Sequence, residues 1–552
     1  MLAVLSGSPL SAQVQTPAPP VVAGAKARWT MRYPGVGLLL CFGLMASAVV
    51  GAGDGGGKIV LTVHTADIGP TISRNIFGQF AEHLGRGIYD GIWVGPDSSI
   101  PNTRGIRNDV VAALKSLHVP NVRWPGGCFA DEYHWRKGIG PASRRPATIN
   151  ANWGGVIEPN TFGTHEFMDF LEQIGSQAYV SVNVGSGSVQ EAAEWLEYLT
   201  APQPDTLAAE RAANGHPAPY KVAFVGIGNE NWGCGGAMSP EQYLGQLKIF
   251  THYVRSYDAA QPLRRIAVGS DGGTSDYTDT IMKAWQNRVS NWDIDTVSVH
   301  YYTVGKWPPH YIATGFGEAD YAAVLNEARR MEEVVRSEEA ILDKYDSQKK
   351  IGLAVDEWGS WLASTPGTHP GFLEQQNSQR DALVAALGIN IFVRHGDRVR
   401  MANIAQMINV LQATILTSGS KMILTPTYHV YQMYVPFQDA TSVPVSFDPG
   451  AYTHDDVQLP RVDAIAARDR NGKFWVAVTN IDPVRPASIE LVTDAKHVTA
   501  ASGQTLAAPH IDSVNTFDAP NTVGAKPIAA KVAGGKLGLT LAPASITVVG
   551  LE

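Results

Sequence analysis

The sequence predicts an α/β fold: a (β/α)8 TIM barrel followed by a C-terminal antiparallel β-sandwich of jelly-roll-like form. Three observations predict it. Between about residues 71 and 425, short apolar runs alternate with amphipathic helical runs. From about residue 426 the chain turns to short β-rich runs separated by Gly and Pro. At 552 residues the chain can hold a barrel, typically about 250 residues or more, and a second unit.

In chain order, the first element is a leader. Residues 36–50 form a long uncharged apolar run, shorter than the roughly 20 residues that span a bilayer. Arg32 precedes it, and Ala46-Ser47-Ala48 or Val50-Gly51-Ala52 supplies small residues for cleavage. Residues 1–52 are therefore expected to be leader and signal peptide, with Met31 the true start. The expected mature protein is exported from a bacterium, periplasmic or secreted, with no stable membrane span after cleavage.

After a Gly-rich joint, a strand over 58–66 is expected to join the C-terminal sandwich, because the barrel pattern begins only near residue 71. The barrel (71–425) draws its strands from Ile72–Phe80, Asn121–Trp124, Ala178–Asn183, Val222–Gly228, Arg265–Gly269, Thr296–Tyr301, Ile351–Glu357 and Lys421–Thr425. Helices are expected over Asp109–Leu117, His165–Ile174, Glu191–Leu199, Pro240–Tyr257 and Tyr321–Tyr345. In the first, Val110, Val111, Leu114 and Leu117 recur at helical spacing. The sandwich (426–552) draws on Phe474–Thr479, Ser488–Val492, Lys536–Leu541 and Ser545–Gly550. No Gly-x-Gly-x-x-Gly follows the first strand, which argues against a dinucleotide-binding sheet.

Charge excludes some functions. The formal net charge is −8 and no basic run occurs, so a nucleic-acid role is not expected. Three cysteines cannot make a disulfide scaffold, and cleavage would leave Cys128 and Cys234. No cofactor or metal is expected, since neither His-Glu-x-x-His nor a Cys/His cluster is present.

Barrel chemistry sits at the C-terminal strand ends. The fourth strand ends in Asn229-Glu230-Asn231-Trp232 and the seventh in Asp356-Glu357-Trp358. Two carboxyl groups facing one pocket suit glycosidic cleavage: one protonates the departing oxygen and the other supports the developing charge at the anomeric carbon. A strand-end Glu is more commonly paired to a cation, but two at matching ends, each beside a Trp, favour catalysis. Trp135, Trp232, Trp358 and Trp361 are expected to offer faces on which sugar rings stack.

Longer blocks carry a resemblance. Phe80-Ala81-Glu82-His83-Leu84-Gly85-Arg86-Gly87-Ile88-Tyr89 and the run from Arg123-Trp124-Pro125-Gly126-Gly127-Cys128 to Tyr133-His134-Trp135 resemble α-L-arabinofuranosidases of glycoside hydrolase family 51. So do Gln375-Gln376-Asn377-Ser378 with Arg380-Asp381-Ala382-Leu383, Met401-Ala402-Asn403-Ile404-Ala405-Gln406, and Pro460-Arg461-Val462-Asp463-Ala464. The similarity covers about residues 58–552.

The resemblance implies a retaining exo-acting hydrolase that releases terminal non-reducing α-L-arabinofuranosyl residues from hemicellulose- or pectin-derived arabinosides. It implies Glu230 as acid/base and Glu357 as nucleophile. Glu82, Cys128, Asn229, His300, Tyr302, Trp358 and Gln406 would bind substrate. Cys128 would line the sugar pocket, which disfavours a disulfide with Cys234, although a buried structural thiol is an equal reading. Relatives are often hexamers, so a homo-oligomer is an expectation. Alternatives are a retaining endo-glucanase or β-xylosidase on the same barrel, a non-catalytic sugar-binding protein, and a metal hydrolase using His83, His300 and Asp356.

Overall fold

A computed structural model describes residues 57–494 and 497–552. The expected leader over 1–52, with Met31, Cys41 and the cleavage site, lies outside the described residues. Among the described residues no helix is long and apolar enough to cross a membrane.

Eight parallel strands close a barrel in chain order: Gly78–Phe80, Asn121–Trp124, Gln177–Val182, Val222–Ile227, Arg264–Ser270, Thr296–Thr303, Gly352–Ser360 and Val399–Ile404. Closure comes where Asn403 and Ile404 of the eighth strand pair with Gly78 and Gln79 of the first. Two expectations change. The first strand is only three residues long, because Arg74–Phe77 forms a 3-10 turn capped by the Ser73 side chain. Lys421–Leu424 is not the eighth barrel strand; it pairs antiparallel with Ile415–Ser418 in a separate hairpin. Both stretches are apolar and β-rich, and periodicity alone does not say which sheet a short run joins.

Helices pack outside the barrel. Pro240–Tyr253 begins at a capping box in which Ser239 and Gln242 satisfy each other's backbone amides, with Pro240 preset at the first helical position. The run expected as one helix over Tyr321–Tyr345 is two, Glu318–Arg329 and Met331–Tyr345, separated at Arg330. Gln379–Arg394 is buried on every side from Gln379 to Val393. It packs on the barrel and on the C-terminal strands Val462–Arg468 and Phe474–Asn480. A helix enclosed all round carries no amphipathic stripe, so no periodicity marks it.

The C-terminal unit is two facing sheets. One orders Thr441–Val443, Val462–Arg468, Phe474–Asn480, Ser545–Leu551, Ala501–Leu506 and Ala525–Pro527. The other orders Val445–Ser446, Ile59–Val63, Ala487–Thr493, Lys536–Leu541 and Lys531–Ala533. Their inner faces share one core that includes Leu61, Val63, Val476, Val478, Ile489, Leu491 and Leu539. Ile59–Val63 runs parallel to Ala487–Thr493 in an otherwise antiparallel sheet.

Candidate active site

The barrel interior is packed by Tyr179, Phe224, Ile266, Ala354 and Met401. Above this layer the seventh strand departs from simple alternation. Ala354 faces inward and Val355 joins the outer core, yet Asp356 and Glu357 both reach inward before Trp358 turns out again. The pleat would send consecutive side chains to opposite faces. Register shifts between Val355 and Trp358 on one neighbour, and between Ser298 and His300 on the other, mark the bulge that breaks this rule.

At the end of the fourth strand, Gly228 adopts φ 90° and Glu230 φ 40°. The left-handed turn lifts the Glu230 carboxyl across the barrel mouth, a conformation that non-glycine residues hold only when their surroundings impose it. His300, from the sixth strand, lies between the two acids. Its Nδ1 is 2.8 Å from Glu230 Oε1 and 3.5 Å from Glu357 Oε2, and its Nε2 is 3.2 Å from Asp356 Oδ1. One oxygen of each glutamate and the histidine nitrogen all lie within 4.8 Å of one another.

Arg123 braces this group. Its Nη1 donates to Glu357 Oε1 at 2.6 Å and its Nη2 to Asn229 Oδ1 at 2.6 Å, while Nε lies 3.7 Å from Asp356. Tyr302 donates its hydroxyl to Glu357 Oε2 at 2.8 Å, and Tyr179 donates to Asp356 Oδ2 at 2.5 Å. The backbone crowds in as well. A Cβ on Gly127 would stand 2.8 Å from Glu357 Oε1, so only glycine allows this approach.

Glu82 closes the far side. It accepts from the Phe129 amide at 3.1 Å, the Trp153 indole at 2.8 Å and the Gln406 amide at 2.8 Å. Burial and the Glu357 charge push its pKa up to about 7 against those three donors.

The acids are electrostatically distinct. Burial raises the Glu230 carboxyl above the ordinary range, with the Glu357 charge adding to it and the His300 bond opposing it. Burial alone would lower His300, but Glu357, Asp356 and Glu230 outweigh it and hold the imidazolium up to about pKa 10. Asp356 stays below its usual value: burial works against this, and Arg123 and His300 override it.

Several expected residues therefore meet in one place: Glu82, Asn229, Glu230, His300, Tyr302, Glu357 and Gln406. Two do not behave as expected. Trp358 is 2% exposed and packs edge-on against Phe392 at 5.0 Å, over Gly388, because alternation after the bulge turns it toward the helices. It is core, not a sugar platform. Trp358→Ala is expected to cost about 3–5 kcal/mol of stability, read as a lower denaturant midpoint, while KM for an aryl arabinofuranoside in the folded enzyme stays near wild type. Trp135, 1% exposed, likewise stacks on Trp195 and donates to the Glu191 carbonyl.

The second is Cys128, which is bonded to Cys234 rather than standing as a free thiol. The expectation against that disulfide is corrected. Residues 106 apart in sequence meet because the loops after the second and fourth strands neighbour each other at the barrel mouth.

Arg123, Trp153, Tyr179 and Asp131 also touch this group, through Glu357, Glu82, Asp356 and the Asn229 amide, and sequence reasoning did not single them out. An arginine inside the buried strand Asn121–Trp124 was the available signal for the first, since a buried guanidinium needs an anionic partner. Trp153 gave none, for it arrives on the turn between Thr148–Asn150 and Val156–Glu158. His83 has both ring nitrogens engaged, Nδ1 with Glu158 and Nε2 with the Trp124 indole, so it does not join His300 and Asp356 as the metal-hydrolase alternative requires.

Residues 113–311 match the family profile described as alpha-L-arabinofuranosidase 1 domain, and residues 356–545 the one described as alpha-L-arabinofuranosidase C-terminal domain. A Bacteroides ovatus protein named intracellular exo-alpha-L-arabinofuranosidase is 43% identical over 495 residues, covering 89% of this chain and 95% of its own. A probable alpha-L-arabinofuranosidase C of Aspergillus niger is 30% identical over 437 residues, covering 76% and 84%. The crystal structure of the GH51 arabinofuranosidase from Xanthomonas axonopodis pv. citri superposes with a TM-score of 0.87 at 48% identity, covering 90% of this chain and all of that one. The expectation of an exported protein is corrected by the Bacteroides relative, whose name places that protein inside the cell.

Proposed function

The chain belongs to the α-L-arabinofuranosidases of glycoside hydrolase family 51, a retaining family, and from that premise we propose that Glu230 and Glu357 carry its double displacement. The enzyme is an exo-acting glycoside hydrolase that releases terminal non-reducing α-L-arabinofuranosyl residues. A glucanase, a xylosidase or a passive sugar-binding protein is not favoured.

The observation that carries the residue assignment is the spacing of the two carboxyl groups. One oxygen of each lies within 4.8 Å of the other, closer than the roughly 6.5–9.5 Å separation at which an inverting pair admits a water. The spacing suits direct attack, for which about 5–5.5 Å is usual. Glu357, bonded to Arg123 and oriented by Tyr302, attacks the anomeric carbon. Glu230, whose pKa is raised by burial and by the neighbouring Glu357 charge against the His300 bond, gives its proton to the departing oxygen. Esterification of Glu357 then removes an anion beside Glu230. Its pKa falls, and the same group takes a proton from the water that releases arabinose. Glu82 and Gln406 hold sugar hydroxyls, with Asn229 placed by Arg123 near the 2-hydroxyl.

Arabinosides derived from hemicellulose or pectin are the proposed source of substrate, supported by the family's activity. Assembly into a hexamer is likewise proposed from the resemblance alone, and sedimentation equilibrium tests it.

The assignment of Glu230 is tested by pH. The His300 bond lowers the Glu230 pKa, so His300→Asn is expected to move the alkaline limb of kcat/KM to higher pH while lowering its plateau. A limb that stays fixed, or moves to lower pH, would remove Glu230 as the group titrating there.

A further inference from the structure

The Cys128–Cys234 cystine joins the two loops that carry the reacting groups, and the double displacement makes no use of it. On one side, Cys128 opens the turn Cys128–Glu132, whose Phe129 amide donates to Glu82. On the other, Cys234 lies in the loop that begins at Glu230. Its Sγ is 3.6 Å from Glu230 Oε2 and 3.7 Å from Asn229 Nδ2.

The middle of that loop is rich in glycine. Gly233, Gly235 and Gly236 fall within four residues, and Gly236 takes φ 123°. Glycines of this kind leave the unrestrained chain with many conformations. The amides of Gly233 and Gly235 return to the Glu230 carbonyl, so those bonds are internal to the turn. Its attachments to the barrel are the Asn229 amide on Asp131 at 3.1 Å, the Asn229 side-chain oxygen accepting from Arg123 at 2.6 Å, the Glu230 carboxylate on His300 Nδ1 at 2.8 Å, Trp232 packed against the outer core, the Tyr277 hydroxyl on the Met238 carbonyl at 2.6 Å, and the cystine. His300 holds one oxygen of the Glu230 carboxyl; the cystine is the one covalent tie, and it anchors the glycine-rich stretch that runs beside the other oxygen. Cys234 is exposed, so an attacking thiolate has access to it.

We infer that the Cys128–Cys234 cystine is a thiol-modification site that positions Glu230, so that its opening by a dithiol switches down the general-acid step. One thiolate of the reductant attacks Sγ and releases the other cysteine as thiolate. The reductant's second thiol then resolves the mixed disulfide. Two electrons and two protons pass to Cys128 and Cys234, and the reductant leaves as its disulfide. With the tie open, the loop samples positions in which the Glu230 carboxyl no longer points at the glycosidic oxygen, while Glu357, braced by Arg123 and Tyr302, keeps its place. The inference rests on Glu230 being the acid/base.

The leaving group separates positioning from general structural damage. Methanol departs only with protonation; 2,4-dinitrophenolate departs without it. The oxidised enzyme and enzyme reduced anaerobically with dithiothreitol are compared on the methyl and 2,4-dinitrophenyl α-L-arabinofuranosides, with alkylation of Cys128 and Cys234 followed by peptide mass spectrometry. On reduction, kcat/KM for the methyl glycoside is expected to fall about tenfold or more, a part of the roughly 10²–10⁴-fold that general acid catalysis supplies. The value for the dinitrophenyl glycoside should stay within about twofold of its starting point, and reoxidation should restore the first. A Cys128→Ser/Cys234→Ser double variant should match the reduced enzyme and ignore dithiothreitol. Equal changes on both substrates, no change on either, or a dithiothreitol response in the double variant would overturn the inference. If the double variant does not fold, the wild-type redox comparison decides alone. An oxidised enzyme inert toward both arabinosides would instead overturn the proposed function.

Discussion

Glu357→Ala is expected to lower kcat by on the order of 10⁵-fold or more, because it removes the proposed nucleophile and with it the covalent bond on which the double displacement depends. The loss should be chemical and not structural. Alanine leaves Arg123 without its 2.6 Å partner but still beside Asn229 and Asp356, so the guanidinium keeps anionic company. The space vacated beside the anomeric carbon suits a small anion. Azide should therefore restore turnover on an activated aryl glycoside and give the β-L-arabinofuranosyl azide, with configuration inverted from substrate. Proton NMR of the product reads the outcome. Full residual activity, or azide product of unchanged configuration, would move the nucleophile elsewhere.

Glu230→Ala should behave differently, and the contrast is the stronger test. Loss of general acid catalysis costs about 10²–10⁴-fold in kcat/KM on substrates with poor leaving groups and little on a dinitrophenyl glycoside. Turnover of the activated substrate should then stall at the arabinosyl-enzyme, since no base remains to activate water. Azide, which needs no base, should relieve the stall and give the α-configured azide. The alkaline limb of kcat/KM, set in the wild type by a Glu230 pKa that burial raises, should vanish on the activated substrate. An intact alkaline limb there would assign it to another residue.

The barrel and most of the site were legible in the sequence because strand ends in this architecture converge whatever their separation along the chain. Glu230 and Glu357 could be paired on that ground alone. What failed was local. Asp356-Glu357-Trp358 reads as the end of an apolar strand, and nothing in those three residues says which way each side chain faces, so the bulge that turns two of them inward and sends Trp358 into the helix layer is not visible there. The cystine was missed because a cysteine near a sugar pocket reads as a lining residue until the distance between two loops is known. Lys421–Leu424 was mistaken for the barrel's eighth strand because its apolar run resembles that of Val399–Ile404. The second of these also carries Asn403, whose amide reaches the Gln79 carbonyl across the barrel seam. Arg123 could have been found: a lone guanidinium in a buried strand implies an anion opposite.

The parallel pairing of Ile59–Val63 with Ala487–Thr493 bears on the order of events during synthesis. Ribosomes emit about 5–20 residues per second, so the roughly 420 residues between the two strands take on the order of half a minute or more to appear. For most of that interval, until Val445–Ser446 emerges, the apolar run Ile59-Val60-Leu61-Thr62-Val63 has no partner in its sheet, although the barrel strands can be closing behind it. An unpaired strand of this composition is a template for pairing with other chains. Nascent enzyme should therefore depend on holding chaperones late in translation, and crowding on polysomes should favour aggregation through its first strand.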